Sequence, residues 1–218
     1  MKGVGKPKSK LTPVTQLFSC HRLMLAQGRQ LDTVAQVQVV ESFYELRRSA
    51  ERLGYGCYLV ELVDKSTEPG QPNEALFDLL RAGLRTMAST GDLDLAAQAF
   101  EARFLALYGY APSTEACAGC GQPLRGRGLR FVPAEGSFYC ARCGSASGGI
   151  PCSAGAARTV ALLARAPLER LSRLAPRAQV RVEVEAVLRA QLDYHLGLRL
   201  QSLLFLKQLR EAAGRDEP

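Results

Sequence analysis

The period of the apolar positions changes several times along the chain, and each change marks an element. Gln16 to Leu25 are β-compatible, Gln27-Gly28 offers a turn, and Leu31 to Val39 alternate. Leu31, Thr33, Ala35, Val37 and Val39 fall on one side, with Asp32, Gln36 and Gln38 on the other. A two-residue period predicts a two-stranded hairpin. A lone hairpin is at best marginal in water, so these strands call for partners. The period then lengthens. Val39, Phe43, Leu46, Ala50, Leu53, Cys57 and Val60 recur at spacings of four and three, the stripe of a helix running to about Asp64. Gly54 and Gly56 within it permit close packing or, alternatively, a kink. Ser66 to Pro72 break the pattern, and Asn73 is placed to cap a second helix through Met87. Ser89 to Asp92 separate a third helix, whose buried face carries Leu93, Ala96, Ala97, Phe100, Phe104, Leu107 and Tyr108 and which Gly109 stops. Three amphipathic helices with short connections predict an α-bundle.

The next segment has a different grammar. Between about Pro112 and Gly149, Leu129–Val132 and Ser137–Tyr139 predict a small β-ribbon around Ala134–Gly136, and Gly144 to Gly149 read as a linker. Ser153 then caps a helix to Arg165, Pro167 begins a short one, and Pro176 opens a longer one in which Val180, Val184, Val187, Leu188 and Leu192 align before Gly197. Leu203–Leu206 should fold back onto the bundle, and the tail from Ala212 should fray.

Two Cys-x-x-Cys pairs carry the clearest chemistry. Cys117-Ala-Gly-Cys120 and Cys140-Ala-Arg-Cys143 are separated by 19 residues, a spacing that reads as a four-thiolate zinc site. Gly119, Gly121 and Gly144 beside the pairs let the backbone turn sharply enough to aim the sulfurs inward. Four cysteines leave no open position for a reacting water, so the expected role of one Zn²⁺ is structural. Two disulfides or free thiols are the alternative. The odd total of seven cysteines and the absence of a secretory signal favour zinc and a reducing, cytoplasmic setting. Cys20, Cys57 and Cys152 then read as small buried residues, Cys152 also as a spare ligand.

Composition narrows the function. Hydrophobic residues make up 47% of 218, enough for a sizeable core, and no stretch is long and apolar enough to span a bilayer. The net charge of +7 is unevenly placed: +6 over residues 1–31, −3 over 32–157 and +4 over 158–218. Basic ends around an acidic middle suggest a polyanion, most simply nucleic acid; solvated helix faces are the competing explanation. There are two histidines, His21 and His195, and neither sits beside a nucleophile motif. Asp193 points to a different face from His195, which reads as packed or hydrogen-bonded. Phosphate-, dinucleotide- and protease-type motifs are missing, so an enzyme is not expected.

Several segments in order resemble the bacterial DNA repair family RecO. They are Gly5-Lys-Pro-Lys-Ser-Lys-Leu11, Gly28-Arg-Gln-Leu-Asp-Thr33, Val40-Glu-Ser-Phe43, Tyr58-Leu-Val-Glu-Leu-Val-Asp64, Pro72-Asn-Glu-Ala-Leu-Phe77, Phe100-Glu-Ala-Arg103, Leu107-Tyr-Gly-Tyr110, Tyr194-His-Leu-Gly197 and Arg199-Leu-Gln-Ser202. The resemblance implies a recombination mediator that is not an enzyme. It would bind single- and double-stranded DNA, anneal complementary strands, contact RecR and single-stranded-DNA-binding protein, and help load RecA, with no membrane and no small-molecule substrate. It also implies an amino-terminal OB-fold, whose first strands precede the basic turn in that family. Here that turn comes almost at once, so the barrel is expected to be incomplete, through truncation or a misplaced start. Gln98-Ala99 also stand where many relatives carry arginines.

The expected fold is α+β: mainly an α-helical bundle with an incomplete OB-type β segment and an inserted four-cysteine zinc ribbon. The divisions are 1–39 (partial OB), 40–111 (first helical part), 112–149 (zinc module) and 150–218 (second helical part). For DNA, the candidates are Lys6, Lys8, Lys10 and Arg29 on the OB side, with Arg158, Arg165, Arg173, Arg177 and Arg181 as a second surface. Phosphate contacts of this kind carry no base code. Phe18 is the only aromatic residue in 1–31, which argues against a base-stacking groove there. The competing class is a zinc-ribbon protein–protein adaptor that binds no nucleic acid. Arginines gathered on one exposed face favour DNA; arginines dispersed among helix pairs favour the adaptor.

Overall fold

The computed structural model describes residues 16–29, 31–144, 148–168, 171 and 174–213. Ser19–Ala26 (β1) and Thr33–Ser42 (β2) form the expected antiparallel hairpin, and among the described residues this sheet has two strands. Leu23 faces Val37 across the pair and Met24 faces Gln36. Leu23, Leu25 and Val39 remain exposed. β2 runs past residue 39 because Val39 and Glu41 still pair with His21 and Cys20.

That pairing corrects the start of the first helix. Val39 is strand, Tyr44–Arg47 form a 3-10 turn, and α1 spans Ala50–Lys65. Ser49 sets the boundary, its hydroxyl accepting from the Arg52 N–H at 3.1 Å, a cap that satisfies a first-turn donor. Phe43 and Leu46 keep helical spacing outside α1, Leu46 within the 3-10 turn, and both are buried. The next two helices begin where their caps predict: α2, Glu74–Ser89, behind Asn73, and α3, Leu93–Leu107, behind Asp92.

α1, α2 and α3 pack against each other, α3 also packs against α5 (Ala154–Arg165) and α6 (Ala178–Leu196), and α7 (Gln201–Ala213) lies along α1. Gly54 explains that last contact: a Cβ there would lie 2.8 Å from Leu206 Cδ2. α1 is continuous through both glycines, so close packing is their purpose and no kink forms. Gly83 brings α2 against α1 and α3, with Phe100 Cδ2 2.7 Å and Leu59 Cδ2 2.9 Å from where its Cβ would be. The short helix expected after Pro167 falls largely outside the described residues. No helix among the described residues is long and apolar enough to cross a membrane.

The inserted module has one strand more than expected. Leu129–Val132 (β3) and Ser137–Tyr139 (β4) make the ribbon, but Ile150–Cys152 (β5) joins on the far side of β3, giving the order β4-β3-β5. The module therefore extends past 149 into the segment assigned to the second helical part. Gly149 permits this, because a Cβ there would sit 2.4 Å from the Phe131 carbonyl oxygen. Leu129 pairs with Cys152, and the Ala154 N–H donates to Gly126 O at 3.0 Å, so the ribbon is stitched to the first turn of α5.

Candidate metal centre and basic surfaces

The first cysteine pair sits on a tight turn, closed by Gly121 N–H to Cys117 O at 2.8 Å and Cys117 N–H to Gln122 O at 2.9 Å. Gly121 has φ +69°, which a side chain would resist. Gly119 serves differently from the sharp turn expected of it: a Cβ there would lie 3.2 Å from Cys143 Sγ, so its role is to leave room for the opposite pair. Cys140 directly follows β4, and Cys143 lies in the single turn α4, Ala141–Gly144, closed by Gly144 N–H to Cys140 O at 2.7 Å.

The four sulfurs lie within 4.8 Å of one another. Cys120 and Cys140 sulfurs are 3.9 Å apart. A tetrahedral ion with metal–sulfur bonds of about 2.3 Å requires sulfurs about 3.8 Å apart, so the donor set fits one such ion. Cys20, Cys57 and Cys152 stand outside this cluster.

Electrostatics agrees with the geometry. Burial pushes the Cys117 thiol up, but N–H groups of Cys140, Gly119 and Cys120 outweigh it and hold it at about 6. Cys143 is pushed up to about 12, first by its hydrogen bonds with Cys120 and Cys140. Crowded sulfurs without a cation cannot all be anionic; a divalent ion supplies the missing positive charge and lets every thiol lose its proton.

The candidate DNA residues do not converge. Lys6, Lys8, Lys10 and Arg173 lie outside the described residues. Arg29 is exposed in the turn after β1. Arg181 is committed elsewhere: its two terminal nitrogens contact Asp92 Oδ2 at 2.7 Å and Oδ1 at 2.5 Å, fastening α6 to the cap of α3. Arg165 makes a 3.7 Å contact with Glu115 between highly exposed side chains. Arg158 and Arg177 are exposed and line one groove, together with Arg127, which the sequence reading overlooked. Its signal was available in Gly126-Arg-Gly128, two glycines that present an arginine on a turn; both have positive φ.

A second polar group also escaped notice. Glu101, on the core face of α3, is 4% exposed. Tyr58 Oη donates to its Oε1 at 2.5 Å, and Arg189 of α6 approaches the same oxygen at 3.6 Å. Burial raises the Glu101 pKa against the pull of Arg189 and Tyr58. The clue was an acid at core spacing, four residues from Ala97 and three from Phe104. His195 is packed, as expected, its ring stacked on Tyr110 at 4.1 Å.

Residues 47–204 match the family model described as "Recombination protein O C terminal". Proteins named "DNA repair protein RecO" are similar over nearly the whole chain. The one from Pelotomaculum thermopropionicum is 39% identical over 96% of this chain and 82% of its own length. That from Moorella thermoacetica is 38% identical over 100% and 84%. That from Symbiobacterium thermophilum is 34% identical over 97% and 85%. The ordered motifs, the helical core that carries those from Tyr58 onward and this identity along both chains agree, and the protein belongs to the RecO family.

Proposed function

We propose that this protein is a DNA repair and recombination mediator that works by binding rather than by catalysis. It holds single- and double-stranded DNA without sequence preference, anneals complementary strands, and with RecR assists loading of RecA on DNA coated by single-stranded-DNA-binding protein. The observation that carries this reading is the similarity to DNA repair proteins along nearly the whole chain. The cytoplasm, at the nucleoid, is its place of action, consistent with seven cysteines that form no disulfide. One zinc ion at Cys117, Cys120, Cys140 and Cys143 braces the ribbon against α5. All four protein donors close its coordination, and its chemistry is electrostatic and structural.

Annealing needs two backbones neutralised while the bases stay free to pair. The basic ends of the chain, including Lys6, Lys8, Lys10, Arg29 and Arg173, supply charge without base readout. Neutralising about four phosphates gives a log–log salt slope near −3 on single strands. The test is annealing of complementary oligonucleotides across a salt series, with and without zinc. Salt-sensitive annealing supports the mediator, whereas no DNA binding at low salt leaves the adaptor reading in its place.

A further inference from the structure

A groove of about 1160 Å³ runs between the inserted ribbon and the amino-terminal ends of α5 and α6. Three arginines from three different elements line it: Arg127 from the loop before β3, Arg158 from α5 and Arg177 from the residue that precedes α6. All three are exposed, and none of their guanidinium groups has a hydrogen bond or ion pair with a described residue. Four other arginines are taken up by carboxylates. Arg85, Arg181, Arg189 and Arg210 are engaged with Glu41, Asp92, Glu101 and Asp94. Unpaired guanidiniums on concave walls focus positive potential into the space between them.

One carboxylate lines the groove, Glu183, and its charge is already spoken for. Its Oε2 accepts from the Ser153 N–H at 3.0 Å and the Ser153 hydroxyl at 2.5 Å, and its Oε1 from Gln179 Nε2 at 3.3 Å. Glu183 thus offsets the positive end of α5. A small anion is accordingly not served at that helix end.

The channel does not stop at Arg158. A second groove of about 450 Å³ shares Arg158 and Leu162 with the first and reaches Arg165. Arg158, Leu162 and Arg165 follow at spacings of four and three, so they share one face of α5. At 1.5 Å per residue the two arginines stand about 10 Å apart along the axis, so a single strand lying along this face can meet both. Leu162, 51% exposed between them, offers apolar surface to a sugar or a base face.

We propose that this continuous channel holds the sugar–phosphate backbone of one nucleic-acid strand, with Arg127, Arg158 and Arg177 on its phosphates. The proposal rests on the DNA-binding function inferred above and gives it a location. Arginines on opposing walls suit a threaded strand; a duplex, being a rod, meets only the rims. Because Gly126 is bonded to the start of α5 and β5 to β3, the four cysteines that fix the ribbon also fix the wall carrying Arg127.

The test measures anisotropy of labelled oligo(dT) with the full chain across a salt series. It compares the wild type with Arg127→Gln, Arg158→Gln, Arg177→Gln and the triple variant. A control carries Arg48→Gln, Arg81→Gln and Arg199→Gln, the same charge loss elsewhere. Each groove substitution should reduce the slope by about 0.7 and the triple by about 2, while the control stays close to wild type. Unchanged thermal melting of the triple variant, and partial rescue by lysine at the same positions, exclude misfolding as the cause. If the wild type binds oligo(dT) and the triple variant keeps its affinity and slope, the channel is overturned and DNA binding stands. If the wild type fails to bind, DNA binding itself falls. If the triple variant loses binding to poly-glutamate but keeps oligo(dT), the channel serves an acidic protein instead, which also overturns the proposal.

Discussion

Replacing Arg189 by methionine tests whether the triad of Tyr58, Glu101 and Arg189 is a true buried charge system. The substitution keeps side-chain length and apolar packing but strands Glu101, whose side chain is 6% exposed, with only the Tyr58 hydroxyl as partner. Removing one member of a buried pair costs about 3–5 kcal/mol, because the remaining charge is uncompensated. At about 2–4 °C per kcal/mol for a chain of this size, melting should fall by roughly 10 °C. The cost must also depend on pH. Glu101 already has a raised pKa, chiefly from burial, and Glu185 and Asp193 push it further up while Arg189 pulls it down. Without Arg189 the pKa rises again. A carboxyl whose folded pKa exceeds its unfolded value binds more protons when folded, so stability falls as pH rises from the unfolded value through the folded one. The deficit of Arg189→Met relative to wild type should therefore widen as pH rises above the unfolded carboxyl value of about 4.3. Urea unfolding at several pH values measures it. Replacing all three groups together, with Tyr58→Phe, Glu101→Leu and Arg189→Met, should recover most of the loss, since an apolar set of similar shape leaves no charge stranded. A penalty below about 1 kcal/mol in Arg189→Met, or one that does not change with pH, would refute the assignment of a buried charge.

Cys117→Ser or Cys140→Ser should release the metal and lower the melting temperature; stoichiometric zinc with an unchanged melting curve would count against the four-sulfur site. Gly83→Ala should destabilise by about 2 kcal/mol in urea titration, because its Cβ must displace Phe100 and Leu59 in a packed interface; a gain in stability, as helix propensity alone predicts, would show that α1, α2 and α3 do not close this tightly. Glu61 receives the N–H groups of Gln201 and Ser202 and the Ser202 hydroxyl, and although burial pushes its carboxyl up, these donors hold it at about 2. That lies below the unfolded value of about 4.3, so the hold of Glu61 on α7 is complete above it and is lost as pH falls towards 2. Amide exchange in α7 should accelerate over that window, and Glu61→Gln should abolish the pH step; a step of unchanged size in the variant would refute the role.

The parts of this fold that were legible in the sequence are those written by single residues with local effects. Asn73 and Ser153 cap the helices they were expected to cap, Gly109 and Gly197 take positive φ at the ends of theirs, and the cysteine pairs meet. What escaped depends on partners far along the chain. Val39 has helical spacing to Phe43, yet His21 claims it for a sheet. Ile150–Cys152 follows glycines that resemble a linker, yet β3 has an open edge for it. Charge shows the same division with more consequence. Arg177 and Arg181 lie four residues apart with identical chemistry, and sequence alone gives both to DNA. Asp92, 89 residues before Arg181, neutralises that one and leaves Arg177 facing an open groove. An arginine count therefore sets only an upper limit on the positive field available to a polyanion. The field itself is what remains after the helices have met, and part of that remainder is the three arginines that line the groove beside the four-cysteine ribbon.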